Sequence, residues 1–391
     1  MSKGAEPFSL LVEGWRFLPH SFAIVNQRQL LELVQLEKVR VFHRDLPYFL
    51  ASWKATDKLM DDSAEAAIRA VPPLPPGRRA DAALRISFPY DFSPAAADRQ
   101  FVFGTADFGC VPAGYVTEGQ SIERAMRESA LEFITPSRWS REGFLRSGAD
   151  PARVHVVPHG ADTALLQAAA PAHRAAVRAS LGLDGFAFLN VGVMTQNKGI
   201  DVLLRAFSEV LLRHPGAHLV LKGIDALYPS RSFVPDAARG LTAAQRERVQ
   251  SRLVYIGQTM SERDMASVYQ AADAYVAPYR AEGFNLPVLE AAACGLPVIC
   301  TEGGPTDDFT TGDFALRIES RRVHDESVPE GLILEPSLDH LIHQMLAVAE
   351  DAAITARAQL AGPAHVAGAF TWRHAVARLM NVLQTSSVEA S

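Results

Sequence analysis

The chain has 391 residues, of which 48% are hydrophobic, and a formal net charge of −6. This length corresponds to two or three domains, and the composition excludes a disordered, collagen-like or coiled-coil protein. No apolar run reaches the ~18 residues that a membrane span needs, and the negative charge argues against nucleic acid as a partner. Three scattered cysteines (Cys110, Cys294 and Cys300) suit neither a disulfide framework nor a zinc site, so we expect a cytoplasmic location.

The first half alternates short apolar strands with amphipathic helices, a pattern typical of α/β proteins with parallel sheets. A helix is predicted over Ser21–Glu37, because Leu30, Leu33 and Val34 recur on one face at spacings of three and four. The predicted strands are Phe8–Val12, Val39–His43, Leu84–Pro89, Phe101–Thr105, Phe133–Thr135 and Val154–Val157.

A second α/β series begins near residue 186. Its predicted helices are Ile200–Arg213, Ser261–Ala272 and Leu286–Cys294, and Ser261 with Asp264 forms an N-terminal capping box. The predicted strands are Phe186–Val193, His218–Leu221, Leu253–Ile256, Ala274–Pro278 and Pro297–Cys300.

Two doubly wound, Rossmann-like domains account for both series most simply. We place the N-terminal domain at residues 1–168 and the C-terminal domain at residues 169–369, followed by a last helix at about 370–391. Open parallel sheets bind ligands at the carboxyl ends of their strands. We therefore expect a ligand in a cleft between the two domains.

The segment Ala277–Pro305 carries the strongest chemical signal. A buried strand is predicted to end at Pro278, and the next loop contains Gly283, where the backbone can approach a ligand closely. Asn285 is a suitable helix N-cap, and the helix stops at Gly295. A helix N-terminus at the carboxyl end of a strand offers free N–H groups to a phosphate or diphosphate.

Charged side chains surround this predicted anion site. Lys198, followed by Gly199 at a strand-to-helix junction, favours an anion. Glu282 lies in the loop, and Glu290 follows eight residues later in the helix. Because a carboxylate beside a phosphate is unfavourable unless it contacts sugar hydroxyls, the pair suits a sugar nucleotide. Each of these side chains could instead be solvated, with no ligand.

The sequence AEGFNLPVLEAAACGLPVI, which contains Glu282 and Glu290, resembles the signature of the retaining glycosyltransferases of family 4, in the GT-B superfamily. FLNVGVMTQNKGIDVLLRAF resembles the first strand, loop and helix of that family's C-terminal domain. LVYIGQTMSERDMASVYQAADAYVAP resembles its base-binding strand and following helix. The resemblance covers residues 130–391 well and residues 1–130 loosely. It implies the GT-B architecture, two Rossmann-like domains facing each other across a cleft, with the terminal helix crossing back to the first domain.

The resemblance also implies roles for individual residues. Glu290 would bind the nucleotide ribose, and Glu282 would lie by the donor sugar near the reacting centre. Lys198 would neutralise phosphate charge as the leaving group departs. Further donor contacts are implied for Gly283, Phe284, Asn285 and Leu286 around the helix start, for Gln258 near the base, and for Gly14, whose alternative role is that of a helix-capping glycine.

Two departures from the family concern the donor site. Val193 occupies the place where the family commonly has an arginine, so one phosphate-neutralising charge is either missing or comes from Arg280 or Lys222. Asn285 replaces the usual glycine of E-G-F-G, and we expect the loop to survive because asparagine tolerates the left-handed conformation.

A third departure concerns the acceptor. The stretch FVFGTADFG lacks the histidine that many members carry there, which leaves His20 and Asp107 as acceptor-side candidates, unless both are structural. The acceptor would be a glycan, a lipid-linked compound or a small molecule with a hydroxyl group. The family leaves peripheral contact with the inner membrane face open, although no basic amphipathic helix supports it.

The implied activity is that of a hexosyltransferase, class EC 2.4. A sugar would move from a UDP- or GDP-linked donor to a hydroxyl acceptor by front-face transfer with retention. Because the helix N-terminus and Lys198 can stabilise the leaving diphosphate, we expect neither a metal ion nor a further cofactor. Two alternatives remain open, a catalytically weak GT-B module that binds nucleotide sugars and a GT-B sugar-nucleotide epimerase. A dehydrogenase is disfavoured, since no G-x-G-x-x-G turn follows a strand.

Overall fold

The computed structural model describes residues 6–385, which form two compact units. The first unit contains the chain up to His159 and again from Trp372 onward, and the second unit is Gly160–Thr371. The boundary predicted between residues 168 and 169 therefore lies nine residues C-terminal to the observed one, between His159 and Gly160. Of the last predicted helix, residues 386–391 lie outside the described residues.

The first unit is built on one sheet of six parallel strands in the order β2-β1-β3-β4-β5-β6. Its strands are β1 (Phe8–Gly14), β2 (Val39–Asp45), β3 (Ala80–Ile86), β4 (Ala97–Phe103), β5 (Glu132–Thr135) and β6 (Val154–Val156). The helices between them are α1 (Ser21–Leu33), α2 (Asp62–Arg69), α3 (Ile122–Glu128) and α4 (Arg138–Arg146).

The second unit repeats this plan with the strand order β12-β11-β10-β7-β8-β9, again all parallel, and adds a β13–β14 hairpin. Its strands are β7 (Ala187–Val191), β8 (His218–Lys222), β9 (Leu253–Ile256), β10 (Ala274–Ala277), β11 (Val298–Thr301), β12 (Ala315–Ile318), β13 (Ser320–His324) and β14 (Leu332–Pro336). Its helices are α5 (Pro171–Leu181), α6 (Ile200–Arg213), α7 (Ser230–Ala237), α8 (Ala243–Gln250), α9 (Glu262–Ala271), α10 (Leu286–Ala293), α11 (Leu338–Glu350) and α12 (Ala352–Ala369). Helix α13 (Trp372–Thr385) returns to the first unit.

The predicted α/β class with two doubly wound sheets is confirmed. Helix α1 ends at Leu33 rather than Glu37. Residues 34–38 are exposed to solvent, so a further helical turn would bury no apolar side chain. Strand β3 begins and ends earlier than predicted, because the small residues Ala82 and Ala83 pack inside the sheet. Among the described residues, none of the helices has the length and hydropathy of a membrane span.

In both sheets the strand order reverses beside the unit's first strand, a place that we call the switch point of the unit. β1 lies between β2 and β3, and β7 lies between β8 and β10. Loops that leave the carboxyl ends of strands on either side of such a reversal diverge and open a crevice for ligands. The loops after β7 and β10 of the second unit therefore lie at the edge where open α/β sheets generally bind ligands.

Candidate functional site

The loops after β7 and β10 are joined to each other through their backbones. The N–H groups of Arg280 and Ala281 both donate to the Asn197 carbonyl, with N···O distances of 2.7 and 3.1 Å. Gly199 has a φ of +69°, and a Cβ at this position would overlap the Pro278 carbonyl oxygen. Only glycine satisfies both the left-handed backbone and this close approach. The two loops thus form one unit of structure at the switch point.

Lys198 and Glu282 meet across these loops. Lys198 Nζ lies 2.5 Å from Glu282 Oε1, and the two side chains are 23% and 11% exposed. The structure therefore brings together the two residues predicted to be catalytic, 84 positions apart in sequence. The ammonium group can attract a phosphate, and the carboxylate can accept hydrogen bonds from sugar hydroxyls.

Helix α10 begins beside this ion pair. Asn285 occupies the N-cap position with φ 73° and ψ 67°, the left-handed conformation. Its side chain makes no capping hydrogen bond, so the N-terminal N–H groups of α10 are not capped by it. Phe284 stacks on Phe309 with ring centroids 4.7 Å apart, which anchors the turn. Gly283 and Leu286 are buried in the same turn.

Glu290 lies on the first turns of α10 and is half-buried, so the alternative of a fully solvated glutamate does not describe it. The hydroxyl of Tyr269 donates to Glu290 Oε2 at 2.6 Å. Burial and the neighbouring Glu290 charge raise the pKa of Tyr269 well above its usual range, so this phenol stays protonated.

Arg280 does not fit its predicted role as a phosphate contact. Its guanidinium makes paired hydrogen bonds of 2.7 and 2.9 Å with Asp201 and of 2.7 and 3.0 Å with Glu335, plus one of 3.0 Å to the Gln196 carbonyl. Those bonds engage all five N–H donors that an arginine has. The residue instead holds the β10 loop against α6 and β14.

Lys222 is the other residue predicted to replace the positive charge of the arginine that the family commonly has at the position of Val193. It ends β8 opposite Val191 and is only 4% exposed. Its Nζ donates to the Gly223 carbonyl, which leaves further ammonium protons for other acceptors. Burial lowers the pKa of Lys222 to about 8, although Asp225 opposes this shift. Gln258, predicted to lie near the base, is exposed just after β9.

Two of the candidates in the first unit, Gly14 and His20, have structural contacts of their own. Gly14 ends β1, and a Cβ there would lie 2.7 Å from the Ile86 carbonyl oxygen, so glycine is required by the close approach of β1 and β3. It caps no helix, because α1 begins only at Ser21. His20 Nδ1 accepts the Phe22 N–H at the start of α1, and burial among aromatic rings lowers its pKa to about 4. This contact caps the start of α1, and the acceptor-side role of His20 stays a prediction.

Asp107 differs from these two. Its carbonyl accepts a 3.1 Å hydrogen bond from Trp139 Nε1. Its carboxylate atom Oδ1 is buried and has no hydrogen-bond partner among the residues that the structure describes. Asp107 therefore keeps its place as an acceptor-side candidate, beyond the end of β4.

Sequence reasoning missed two features of the site. One is the hydroxyl of Tyr269 on Glu290, and the other is the clamp of Arg280 by Asp201 and Glu335. Both join elements far apart in the chain, and no local pattern signals them. Within residues 6–385, no three His, Cys, Asp or Glu side chains gather into a group that could hold a metal ion.

Two solved structures share the architecture of this chain. Anabaena HepE, solved with UDP and glucose, superposes with a TM-score of 0.67 over 96% of this chain and 99% of that chain, at 15% identity. Sucrose-phosphate synthase from Thermosynechococcus elongatus gives 0.66 over 96% and 98%, at 17% identity. The protein therefore has the GT-B fold.

Sequence comparisons concentrate on the second unit. Residues 185–325 match the family model described as "Glycosyl transferases group 1". A D-inositol 3-phosphate glycosyltransferase of Rhodococcus opacus is 32% identical over 245 residues, which is 62% of this chain and 50% of that protein. One from Actinosynnema mirum is 38% identical over 182 residues, 45% of this chain and 42% of that protein. The chain thus spans about half the length of the relatives it matches.

Proposed function

We propose that the protein is a retaining glycosyltransferase, which moves a sugar from a UDP- or GDP-linked donor to a hydroxyl acceptor without a metal ion. The observation that carries this proposal is the meeting of Lys198, Glu282 and the start of α10 at the switch point of the second unit. The match to group 1 glycosyltransferases spans all three. The UDP and glucose named for HepE support the donor class.

The leaving diphosphate would lie at the start of α10. Backbone N–H groups of Phe284, Asn285 and Leu286 would bind it, and Lys198 would contact its oxygens. As the bond between the anomeric carbon and the diphosphate oxygen breaks, negative charge builds on the diphosphate. The helix N-terminus and the ammonium group stabilise that charge more in the transition state than in the ground state.

The donor sugar would lie against Glu282, whose carboxylate accepts hydrogen bonds from its hydroxyls. The acceptor hydroxyl would attack the anomeric carbon on the face that the diphosphate leaves, and its proton would pass to a diphosphate oxygen. This accounts for retention without a protein base. Lys222 would provide the second positive charge, and Glu290 would bind the ribose.

Release of nucleoside diphosphate from UDP-, GDP- and ADP-sugars tests the proposal, after a thermal-shift screen has identified the donor that stabilises the protein most. Lys198→Ala should lower turnover by about 100-fold or more, in the range seen when one transition-state charge contact is lost. Lys38→Ala is the control, because Lys38 is exposed at the amino end of β2. Full activity should survive treatment with EDTA. Wild-type turnover in Lys198→Ala would refute the assignment.

A second candidate is a module that binds nucleotide sugars without transferring them. The absence of a family-type arginine at Val193 favours it. Such a module would show the same thermal shift with the donor, but no release of diphosphate with any acceptor. A sugar-nucleotide epimerase would instead convert the donor sugar without releasing diphosphate.

A further inference from the structure

The carboxylate of Glu290 accepts a hydrogen bond from a buried phenol, which in turn packs on a second one. Tyr269 on α9 is 1% exposed, and its hydroxyl lies 2.6 Å from Glu290 Oε2. The Tyr269 ring packs against that of Tyr275, with centroids 6.1 Å apart. The Tyr275 hydroxyl lies 3.3 Å from the carbonyl oxygen and 3.4 Å from the nitrogen of Val191, at the end of β7. A continuous set of contacts therefore runs from the switch point to Glu290.

The hydroxyl of Tyr269 restricts a side chain that otherwise has several rotamers. A glutamate carboxylate offers about four lone-pair sites, and the Tyr269 hydroxyl occupies one of them on Oε2 and so restricts the orientation of the group. Because a carboxylate only accepts, Tyr269 must be the donor, and it remains protonated over the working pH range. A ribose diol, which donates two hydrogen bonds, is the matching ligand for a carboxylate held in this way.

We propose that Tyr269 positions Glu290 for the ribose of the donor and thereby sets the preference for ribonucleotides over 2′-deoxyribonucleotides. This inference rests on the proposed function, in which Glu290 contacts the ribose. Tyr269 is a positioning residue, since it acts through Glu290. Its removal should therefore affect the binding of the nucleotide far more than the rate of transfer at saturating donor.

Calorimetric titration of UDP and 2′-deoxyuridine diphosphate tests the inference, or of the guanosine pair if GDP binds more tightly. The wild type should prefer the ribonucleotide. In Tyr269→Phe, which keeps the ring packing, Kd for the ribonucleotide should rise about 5- to 10-fold. Kd for the deoxyribonucleotide, which can donate only its 3′-hydroxyl to Glu290, should rise much less, so that the preference shrinks. The value of kcat should change less than twofold. Tyr269→Phe added to Glu290→Gln should raise Kd no further.

Tyr279→Phe is the matched control. Tyr279 is also 1% exposed, and its hydroxyl bonds to the Thr301 carbonyl and the Thr306 hydroxyl, 3.0 and 2.7 Å away. This variant should be less stable yet keep the ribose preference. A smaller preference in both variants would overturn the inference, as would an undiminished one in Tyr269→Phe. If the wild type itself shows no preference, the ribose role of Glu290 in the proposed function fails instead.

Discussion

Substitution of Gly199 by alanine tests whether the loops after β7 and β10, which form the proposed donor site, depend on one close backbone approach. Gly199 lies between Lys198 and α6 with φ +69°, and an added Cβ would overlap the Pro278 carbonyl oxygen. Alanine at this position must therefore adopt a left-handed conformation and push the β10 loop away. Both loops carry a residue of the Lys198–Glu282 ion pair, so the displacement should reach the site.

The magnitude follows from the two separate penalties. Placing a residue with a Cβ in the left-handed region costs about 1 kcal/mol or slightly more. Forcing extra volume into a packed interior costs about 1–3 kcal/mol. We therefore expect Gly199→Ala to lower the free energy of unfolding by about 3 kcal/mol. Gly182→Ala is the matched control, because Gly182 has φ +68° but nothing within 4 Å of its added Cβ, and it should cost only about 1 kcal/mol.

Urea titration followed by far-ultraviolet circular dichroism measures both variants. Circular dichroism is chosen because it reports directly on the helices of the second unit, whereas all four tryptophans (Trp15, Trp53, Trp139 and Trp372) lie in the first unit. Gly199→Ala should also weaken donor binding at least tenfold, whereas Gly182→Ala should leave it unchanged. Equal destabilisation by the two substitutions would refute the reasoning, since the steric term would then be absent.

Two further predictions concern buried charges. Arg280→Lys keeps the positive charge but loses the planar fork that pairs with Asp201 and Glu335. Because those carboxylates are 33% and 35% exposed and can rehydrate, we expect the free energy of unfolding, measured by urea titration, to fall by about 2 kcal/mol. A variant as stable as the wild type would contradict the clamp. Lys222 has a folded-state pKa of about 8, below the 10.5 of the unfolded chain, so the unfolded state binds more protons between these pH values and stability should rise there with pH. Relative to Lys222→Met, the free energy of unfolding of the wild type should rise by roughly 3 kcal/mol from pH 7 to pH 11, at about 1.4 kcal/mol per pKa unit. If the stability difference between the two proteins does not change with pH, Lys222 is not desolvated.

Local patterns predicted the second unit better than the first. Helix α6 and strand β9 have the predicted bounds, Ile200–Arg213 and Leu253–Ile256. Both have clear signals, an apolar stripe ended by His214 and a short β-branched run. In the first unit, β3 begins with alanines, which have weak strand propensity, and only the tertiary contacts of the sheet place them there.

The site shows the same limit. The sequence predicts an anion site at Lys198 and the turn Glu282–Leu286 from neighbouring residues alone, because a strand-to-helix junction is a local feature. The clamp on Arg280 could not be predicted in this way, because its partners Asp201 and Glu335 lie 79 and 55 residues away in sequence. An unpaired arginine near a phosphate and an arginine held by two carboxylates look identical in a sequence.

The most direct test of the account is the contribution of the diphosphate to nucleotide binding. Calorimetric titrations of uridine, UMP and UDP, or the guanosine series, would be compared between the wild type and Lys198→Met. We predict that affinity in the wild type rises steeply from nucleoside to diphosphate. In the variant this rise should be at least tenfold smaller, which corresponds to about 1.4 kcal/mol of binding free energy, while the affinity for the nucleoside should be unchanged. An equal gain in both proteins would contradict a diphosphate held by Lys198 at the start of α10.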